Sequence, residues 1–507
     1  MELPLTPLDF LARARRLFPD RVGVIDGPVR RTYREYAERC DRLAWVLRDQ
    51  LGVAPGDRVA WLCGNTAELL EAYYAVLLAG AVLLPLNIRL ARAELRAVLA
   101  DAGAAVLFRH PDQPDIGAEL HTVVLGEDHE ARLAAAPPGQ FPTPPVDESA
   151  PAELFYTSGT TGEPKGVVLT HRNLYLHAVH SALTNGLSGA DVVLHTIPLF
   201  HVNGWGTPHY VTGLGGVHVL LPRFDTAEVL RLVEAEGVTR LFLVPTMTRL
   251  LLDEPSLATR DLSSLRQVSI GGAPAGPELL AEVEERLRCE CICGYGLTES
   301  SPTLTRSLDK PGEPKSATRR ATTGLPIVGV DVRVLGPGDV EVPWDGRTPG
   351  EVCVRSNHVM AGYGGRPQET AEALRDGWLR TGDVATVAPD GYLTIVDRLK
   401  DVIVSGGENI ASVEVERVLD AHPDVVESAV VAAPDERWGE IPVAFVTLRP
   451  GAEVGPDELS AHVRRHLAGF KVPREVHFRE LPKTSTGKIQ KQVLRQETRA
   501  AHPQAPA

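Results

Sequence analysis

A chain of 507 residues exceeds what one hydrophobic core organises, and the length points to about three folding units. With 43% hydrophobic and 23% charged residues the composition is that of an ordinary globular protein, and a formal net charge of -14 argues against nucleic acid or an anionic membrane surface as the main partner. An anionic ligand would therefore need a locally positive site. Helical apolar spacing runs over residues 7–17 and 33–51, and Thr32 with Glu35 has the spacing of a capping box for the second helix. Gly27-Pro28 punctuates two short strands between them. From residue 59, buried strands (59–62, 82–84) alternate with helices (68–78, 93–100), which predicts an α/β layer fold with a largely parallel sheet. The apolar run 73–86 is shorter than the roughly 20 residues a membrane helix needs. It holds Gly80 and Pro85, so it reads as a helix end leading into a buried strand and not as an integral membrane segment.

A proline-rich connection over 136–151 leads into Tyr156-Thr157-Ser158-Gly159-Thr160-Thr161-Gly162-Glu163-Pro164-Lys165-Gly166, set between two apolar runs and so predicted to be a loop joining short strands. From Thr157 to Gly166 it has three glycines, four aliphatic hydroxyls and one lysine. Glycines let backbone N–H groups turn toward an anion, hydroxyls add rotatable donors, and lysine brings a movable charge. The pattern is a phosphate cradle, but not the common nucleotide loop, which requires glycine directly before the lysine and a hydroxyl directly after it. The chain has only eight lysines among its 52 basic residues. Lys165, Lys400 and Lys488 thus stand where a compact ammonium is not exchanged for a guanidinium fork.

A second α/β run follows, with strands near 192–194, 217–221 and 240–244 and helices near 226–236 and 277–287. Gly271-Gly272-Ala273-Pro274 is a small-residue turn, and Gly294-Tyr295-Gly296-Leu297-Thr298-Glu299 follows a strand carrying Cys289, Cys291 and Cys293 on one face, read as buried thiols. From about 327 to 396, short strands with Gly/Pro turns suggest a small β-barrel or distorted sheet. Beyond Asp397-Arg398-Leu399-Lys400-Asp401 a compact α+β segment has helices near 412–421 and 456–467 and strands near 428–432 and 444–448. Six cysteines make no disulfide framework, and the sequence opens Met1-Glu2-Leu3-Pro4 without a basic stretch leading into an apolar one, so a reducing cytoplasm is the expected compartment.

The loop from Tyr156 to Gly166 resembles the signature loop of the adenylate-forming superfamily of acyl-CoA synthetases, luciferase-like enzymes and peptide-synthetase adenylation domains. Later motifs extend the resemblance over nearly the whole chain. It implies a large N-terminal domain of two α/β subdomains (about 1–180 and 181–326) with a small β-barrel (about 327–396), and a small mobile α+β lid over 399–507 hinged near 398–401. It further implies ATP, Mg²⁺ and coenzyme A. The loop residues Thr157, Ser158, Gly159, Thr160, Thr161, Gly162 and Lys165 would bind the triphosphate, and Gly272, Ala273, Pro274, Gly294, Tyr295 and Gly296 the adenosine. Thr298 would orient the α-phosphate, and Glu299 with Thr161 would hold the metal, carboxylate and hydroxyl oxygens being hard ligands.

Asp383 in Trp378-Leu379-Arg380-Thr381-Gly382-Asp383 resembles the ribose acceptor, with Arg398 beside it and Lys400 at the hinge. Lys488 in Lys483-Thr484-Ser485-Thr486-Gly487-Lys488 is similar to the family's terminal catalytic lysine, and Trp438, with the basic run Phe470-Lys471-Val472-Pro473-Arg474, to its coenzyme A site. His201 in Pro198-Leu199-Phe200-His201-Val202-Asn203-Gly204-Trp205 resembles the aromatic gate of acyl-CoA synthetases. Amino-acid-activating relatives have aspartate at that position, so an amino-acid substrate is disfavoured. Val202, Trp205, Met247 and Ala273 are further candidates for an apolar acid pocket. Gly364 departs from the pattern where relatives often carry a bulky aromatic, which puts local packing in question. The expected activity is an acid–CoA ligase acting through an acyl-adenylate on a medium- or long-chain fatty acid or a related aliphatic or aryl acid. A stand-alone adenylation enzyme loading a carrier protein is the alternative, a nucleotide-binding regulator without turnover is a third reading, and a homodimer is left open.

Overall fold

The computed structural model describes residues 3–117, 119–143, 145–158, 164–406, 408–435, 437–483 and 489–502, without the side chains of Ser158 and Asn409. The chain divides into two compact units, Met1–Asp331 with Val354–Leu379, and Val332–Cys353 with Arg380–Ala507. The second takes in more of the chain than the predicted 399–507 lid.

The first unit contains two large sheets. One is seven-stranded, in the order Gly362–Tyr363, Pro164–Thr170, Pro151–Ser158, Val82–Pro85, Arg58–Leu62, Ala104–Arg109, His121–Val124. Its inner strands pair in parallel, and the strands on either side of the signature loop form an antiparallel hairpin. Val82–Pro85 is buried at every position, as a strand covered on both faces must be, which is why it reads as an unbroken apolar run. The other sheet is nine-stranded, in the order Leu325–Pro326, Thr303–Arg306, Glu290–Gly296, Gln267–Ile270, Arg240–Leu243, Val192–His195, Val217–Leu220, Val22–Asp26, Val29–Thr32.

The chain's first two strands thus belong to the second sheet, with Val24 paired to His218 in parallel, although the expected subdomain bounds place them within residues 1–180. Periodicity tells which face of a strand is buried but not which strand it pairs with. Thr32 caps the helix Tyr33–Trp45 in a full capping box with Glu35, as its spacing predicts, and the helix then widens into π turns over Val46–Gln50. Helices Thr226–Glu236 and Pro277–Leu287 stand where apolar spacing places them, the first stopped by Gly237 at φ 64°.

Val330–Leu335, Gly350–Ser356, Trp378–Val387 and Leu393–Arg398, most of whose residues belong to the second unit, contribute to one five-stranded sheet, in the region read as a barrel or distorted sheet. A second five-stranded sheet joins Glu408–Ile410, Ile403–Ser405, Gly439–Leu448, Val425–Asp435 and Glu475–Phe478. Helices Ser412–Asp420 and Pro456–His466 bury Val415, Leu419, Leu459 and Val463 against Val430 and Ala444, while helix Lys491–Ala501 contributes Leu494 to a separate cluster with Val443 and Phe445. No helix among the described residues is long and apolar enough to cross a membrane.

Candidate active site

The hairpin fixes the stems of the signature loop. Thr157 stands opposite Lys165 and Tyr156 opposite Gly166. A methyl group on Gly166 would lie 2.9 Å from Leu154 Cδ1 and 3.1 Å from the Tyr156 ring, so a larger residue there would have to displace those side chains. Gly159, Thr160, Thr161 and Gly162 lie outside the described residues, as do the side chain of Ser158 and all of Lys488.

The short strand Gly362–Tyr363 adds to the hairpin edge, with Gly364 N–H donating to Gly166 O at 2.8 Å. Around Gly364 the nearest atoms to a would-be methyl are 3.7 Å away. The departure from the family pattern therefore leaves room and breaks no contact. Tyr363 is what this strand contributes. Its hydroxyl donates to Glu299 Oε1 at 2.8 Å, and Lys165 Nζ stands 5.4 Å from the centre of its ring. Burial and then the Glu299 charge push the Tyr363 hydroxyl up, so it remains a donor.

Glu299 is further fixed through its carbonyl, which accepts from Met360 N–H at 2.8 Å, and its Oε2 accepts no hydrogen bond among the described residues. A carboxylate oriented through one oxygen and open at the other fits a hard divalent cation such as Mg²⁺. Tyr363→Phe removes a hydrogen bond to a charged group, which is typically about 1.5–3 kcal/mol. It should raise the Mg²⁺ concentration for half-maximal ATP–pyrophosphate exchange by about tenfold. An unaltered Mg²⁺ dependence would take Tyr363 out of this role.

Glu299 lies in the turn Thr298–Ser300 directly after the strand Glu290–Gly296. Thr298 is buried, and Tyr295 is half-buried between two glycines, of which Gly296 is pressed against backbone. A methyl on Gly296 would lie 2.0 Å from the Pro302 carbonyl oxygen, and one on Gly294 2.7 Å from an Arg306 guanidinium nitrogen. The neighbouring parallel strand Gln267–Ile270 pairs Ile270 with Cys293. Gly271 and Gly294 therefore leave the same, carboxyl, end of the sheet, where ligands bind in open α/β folds. Gly272, Ala273 and Pro274 are exposed there, Gly272 at φ +79°. His201 is half-buried, Val202 and Met247 are buried, and Trp205 packs against Phe242. Cys289, Cys291 and Cys293 are all buried, and burial pushes the Cys289 thiol up to about 12.

In the second unit, Asp383 and Arg398 are register partners across antiparallel strands, and Arg398 Nε is 3.2 Å from the buried Asp383 Oδ1. Arg398 is half exposed, which leaves its remaining donors to solvent or a ligand. Lys400 lines a cavity of about 350 Å³ with Glu440, Arg495, Arg499 and His502, and burial followed by Arg398 pulls its pKa down. Trp438 lies against Gly406, with Arg437 4.8 Å from its ring centre, and is exposed, as is Phe470. Lys471 pairs with Glu414 at 2.6 Å.

Two groups here go beyond the sequence motifs. Asp397, next to Arg398 in the chain, is buried and accepts from Ser412 N–H at 2.5 Å, Ser412 Oγ at 3.1 Å and Arg398 N–H at 2.7 Å. Lys491 donates to Ser412 Oγ at 2.6 Å and meets Glu416 Oε1 at 2.7 Å. Burial works against the Lys491 ammonium, but Glu416 and Asp397 outweigh it and hold its pKa above the usual lysine value.

The fold is that of adenylate-forming enzymes. The sequence profile of the AMP-binding enzyme family matches residues 11–364, and that of the AMP-binding enzyme C-terminal domain matches 414–488. The chain is 42% identical over 492 residues to a feruloyl-CoA synthase of Amycolatopsis sp, covering 95% of this chain and 97% of that one. It is 40% identical over 529 residues to a long-chain-fatty-acid–CoA ligase of Thermus thermophilus, covering 98% and 96%. Among solved structures, o-succinylbenzoate CoA synthetase from Bacillus subtilis in complex with its acyl-adenylate intermediate superposes with a TM-score of 0.85 at 31% identity, covering 97% of this chain and 98% of that one. The chain belongs to the AMP-binding enzyme family, the adenylate-forming superfamily. Within it, this is an AMP-forming acid–thiol ligase.

Proposed function

We propose that the protein joins a carboxylic acid with an apolar, uncharged remainder to coenzyme A in two half-reactions. The acid's carboxylate attacks the α-phosphate of ATP to give an acyl-adenylate and pyrophosphate, and the coenzyme A thiol then attacks the acyl carbon and expels AMP. Mg²⁺, held by Glu299 with Thr161, would neutralise phosphate charge. Neither step needs a protein nucleophile, because the mixed anhydride is itself the activated species. What the residues supply is alignment and charge stabilisation. Thr157, Ser158, Gly159, Thr160, Thr161, Gly162 and Lys165 take the phosphates, Tyr295 and the turn Gly272-Ala273-Pro274 the adenine, and Thr298 the α-phosphate. Asp383 and Arg398 take the ribose, Lys488 serves adenylation, His201 borders the acid, and Trp438 serves coenzyme A.

The observation that carries this reading is the Lys165–Tyr363–Glu299 cluster, in which one tyrosine meets the lysine proposed for the triphosphate and the carboxylate proposed for the metal. Purified protein with ATP, Mg²⁺ and coenzyme A should release AMP with at least one acid from a panel of C2 to C18 and aryl acids. AMP release that requires an added carrier protein in place of coenzyme A would transfer the reading to carrier loading. No ATP–pyrophosphate exchange with any acid would remove catalysis altogether.

The lid is taken as 399–507, turning near 398–401, and a moving lid is a known way to sequence two steps. Lys400→Pro fixes φ at one hinge residue. It should leave adenylation near wild type and slow thioester formation. Stopped-flow measurement of the two half-reactions checks this, and normal thioester formation counts against the hinge.

A further inference from the structure

At their amino ends, opposite the candidate active site, strands Gln267–Ile270 and Glu290–Gly296 carry a polar chain in which every carboxylate already has a donor. Asp191 accepts from Arg240 Nε at 2.9 Å, Arg240 Nη1 donates to Gln267 Oε1 at 2.9 Å, and Gln267 Nε2 donates to Glu290 Oε2 at 2.7 Å. The buried Arg320 then joins Glu290, at 3.5 Å, to Asp309, at 2.8 Å, and to Glu284, whose Oε1 also accepts from Cys291 N–H at 3.1 Å. Arg266, Arg288 and Lys315 stand beside this chain as surplus positive charge.

The three cations surround a cavity of about 660 Å³ that has Leu265 and Cys289 in its wall. That volume falls within the roughly 300–1,000 Å³ of small-molecule sites. Among the described residues, Arg288 and Lys315 have no carboxylate within ion-pair distance, and Arg266 reaches only Asp191, at 3.9 Å. All three are exposed, on a chain whose formal net charge is -14. Like charges gathered around one hollow repel one another until an anion sits among them. Arg288 adds a second observation. It ends helix Pro277–Leu287 at φ 54° and ψ 36°, a left-handed position that suits glycine and strains an L-residue. The helix already has Arg286 in its last turn, 3.0 Å from Glu282, so its dipole does not call for another arginine. A strained arginine on the rim of a cavity is a position held for its side chain.

We propose that this cavity is a second anion site, which takes a phosphorylated small molecule with its phosphate among Arg266, Arg288 and Lys315 and its body over Leu265 and Cys289. Guanidinium forks match phosphate oxygens in pairs, and lysine adds a movable charge. Glu284 and Glu290 also line the cavity, but both are spent on Arg320. The site is separate from the ligase centre, because the six residue steps from Glu290 to Gly296 span about 20 Å.

Equilibrium dialysis with ADP is the test. Wild type should bind two equivalents, one at the nucleotide site of the ligase reading and one here. In Arg288→Gly/Lys315→Ser the second equivalent should weaken by about tenfold or more, the range for lost hydrogen bonds to a charged group. The double variant should fold at least as stably as wild type, since glycine suits the backbone at 288. Arg286→Ser, which removes a nearby charge that does not line the cavity, should keep both equivalents. Inorganic pyrophosphate should displace the equivalent that the double variant loses. Displacement at a lower concentration than ADP itself requires names free phosphate as the ligand, and at a higher one a nucleotide, and either supports the site. Equal binding by wild type and the double variant, an equal loss in Arg286→Ser, or no displacement by pyrophosphate overturns the proposal. The ligase reading is judged apart, by the equivalent that survives in the double variant. Its absence would count against that reading and leave the second site standing.

Discussion

Replacing Lys488 by alanine should slow acyl-adenylate formation by on the order of 10²–10³, the range for loss of one preorganised donor at a developing charge. Thioester formation from supplied acyl-adenylate should be nearly unaffected. The asymmetry follows from chemistry. Charge accumulates on the α-phosphate and carboxylate oxygens during the first displacement, where an ammonium lowers the barrier, whereas the second step begins from a carbonyl already activated by an AMP leaving group. Lysine suits the first task because it is a mobile point charge on a flexible stem, which a guanidinium fork is not. Pyrophosphate exchange reports the first half-reaction, and AMP release from synthetic acyl-adenylate reports the second. Equal damage to both would refute the division of labour.

Lys491→Met should loosen the second unit severely. The substitution removes an ammonium that faces Glu416 at 2.7 Å and Ser412 at 2.6 Å and leaves a carboxylate of low exposure without its counter-charge. Breaking such a pair from one side costs about 3–5 kcal/mol. Hydrogen exchange in helix Lys491–Ala501 and strand Leu393–Arg398 should accelerate by about 100-fold or more, since the Asp397–Ser412 bonds depend on the same centre. Removing both charges in Lys491→Met/Glu416→Leu should recover most of the loss, because an apolar pair of similar volume avoids the desolvation penalty. Exchange rates unchanged in the single variant would show that the pair adds nothing.

How much of this was legible in the sequence depended on whether the signal was local. The Thr32–Glu35 cap, the helices Thr226–Glu236 and Pro277–Leu287 and the strand stems of the signature loop all rest on spacing within one element, and the structure has them there. The meeting of Lys165, Glu299 and Tyr363 joins residues 64 or more positions apart between Glu299 and Tyr363 alone, and no period encodes it. Tyr363 stands beside Gly364, the one departure from the family pattern, and nothing in that stretch pointed to its partner. The Glu153–His209 pair was equally hidden, because a lone histidine in an apolar stretch reads as core until its carboxylate is seen, 56 positions away in the chain. Asp397 was hidden as well: its hydrogen bonds to Ser412 and to the Arg398 N–H make it a brace beneath Arg398, which no spacing encodes.

The pairing of Val22–Asp26 with Val217–Leu220 bears on how the protein is made. A ribosome exposes the opening strands long before their neighbour has been translated, so the edge of the nine-stranded sheet stays unzipped for most of synthesis. Its apolar face needs temporary cover during that wait. Cutting the gene after the signature hairpin would therefore not yield a self-sufficient half, because the amino-terminal segment is stitched into a layer that the remainder of the chain supplies.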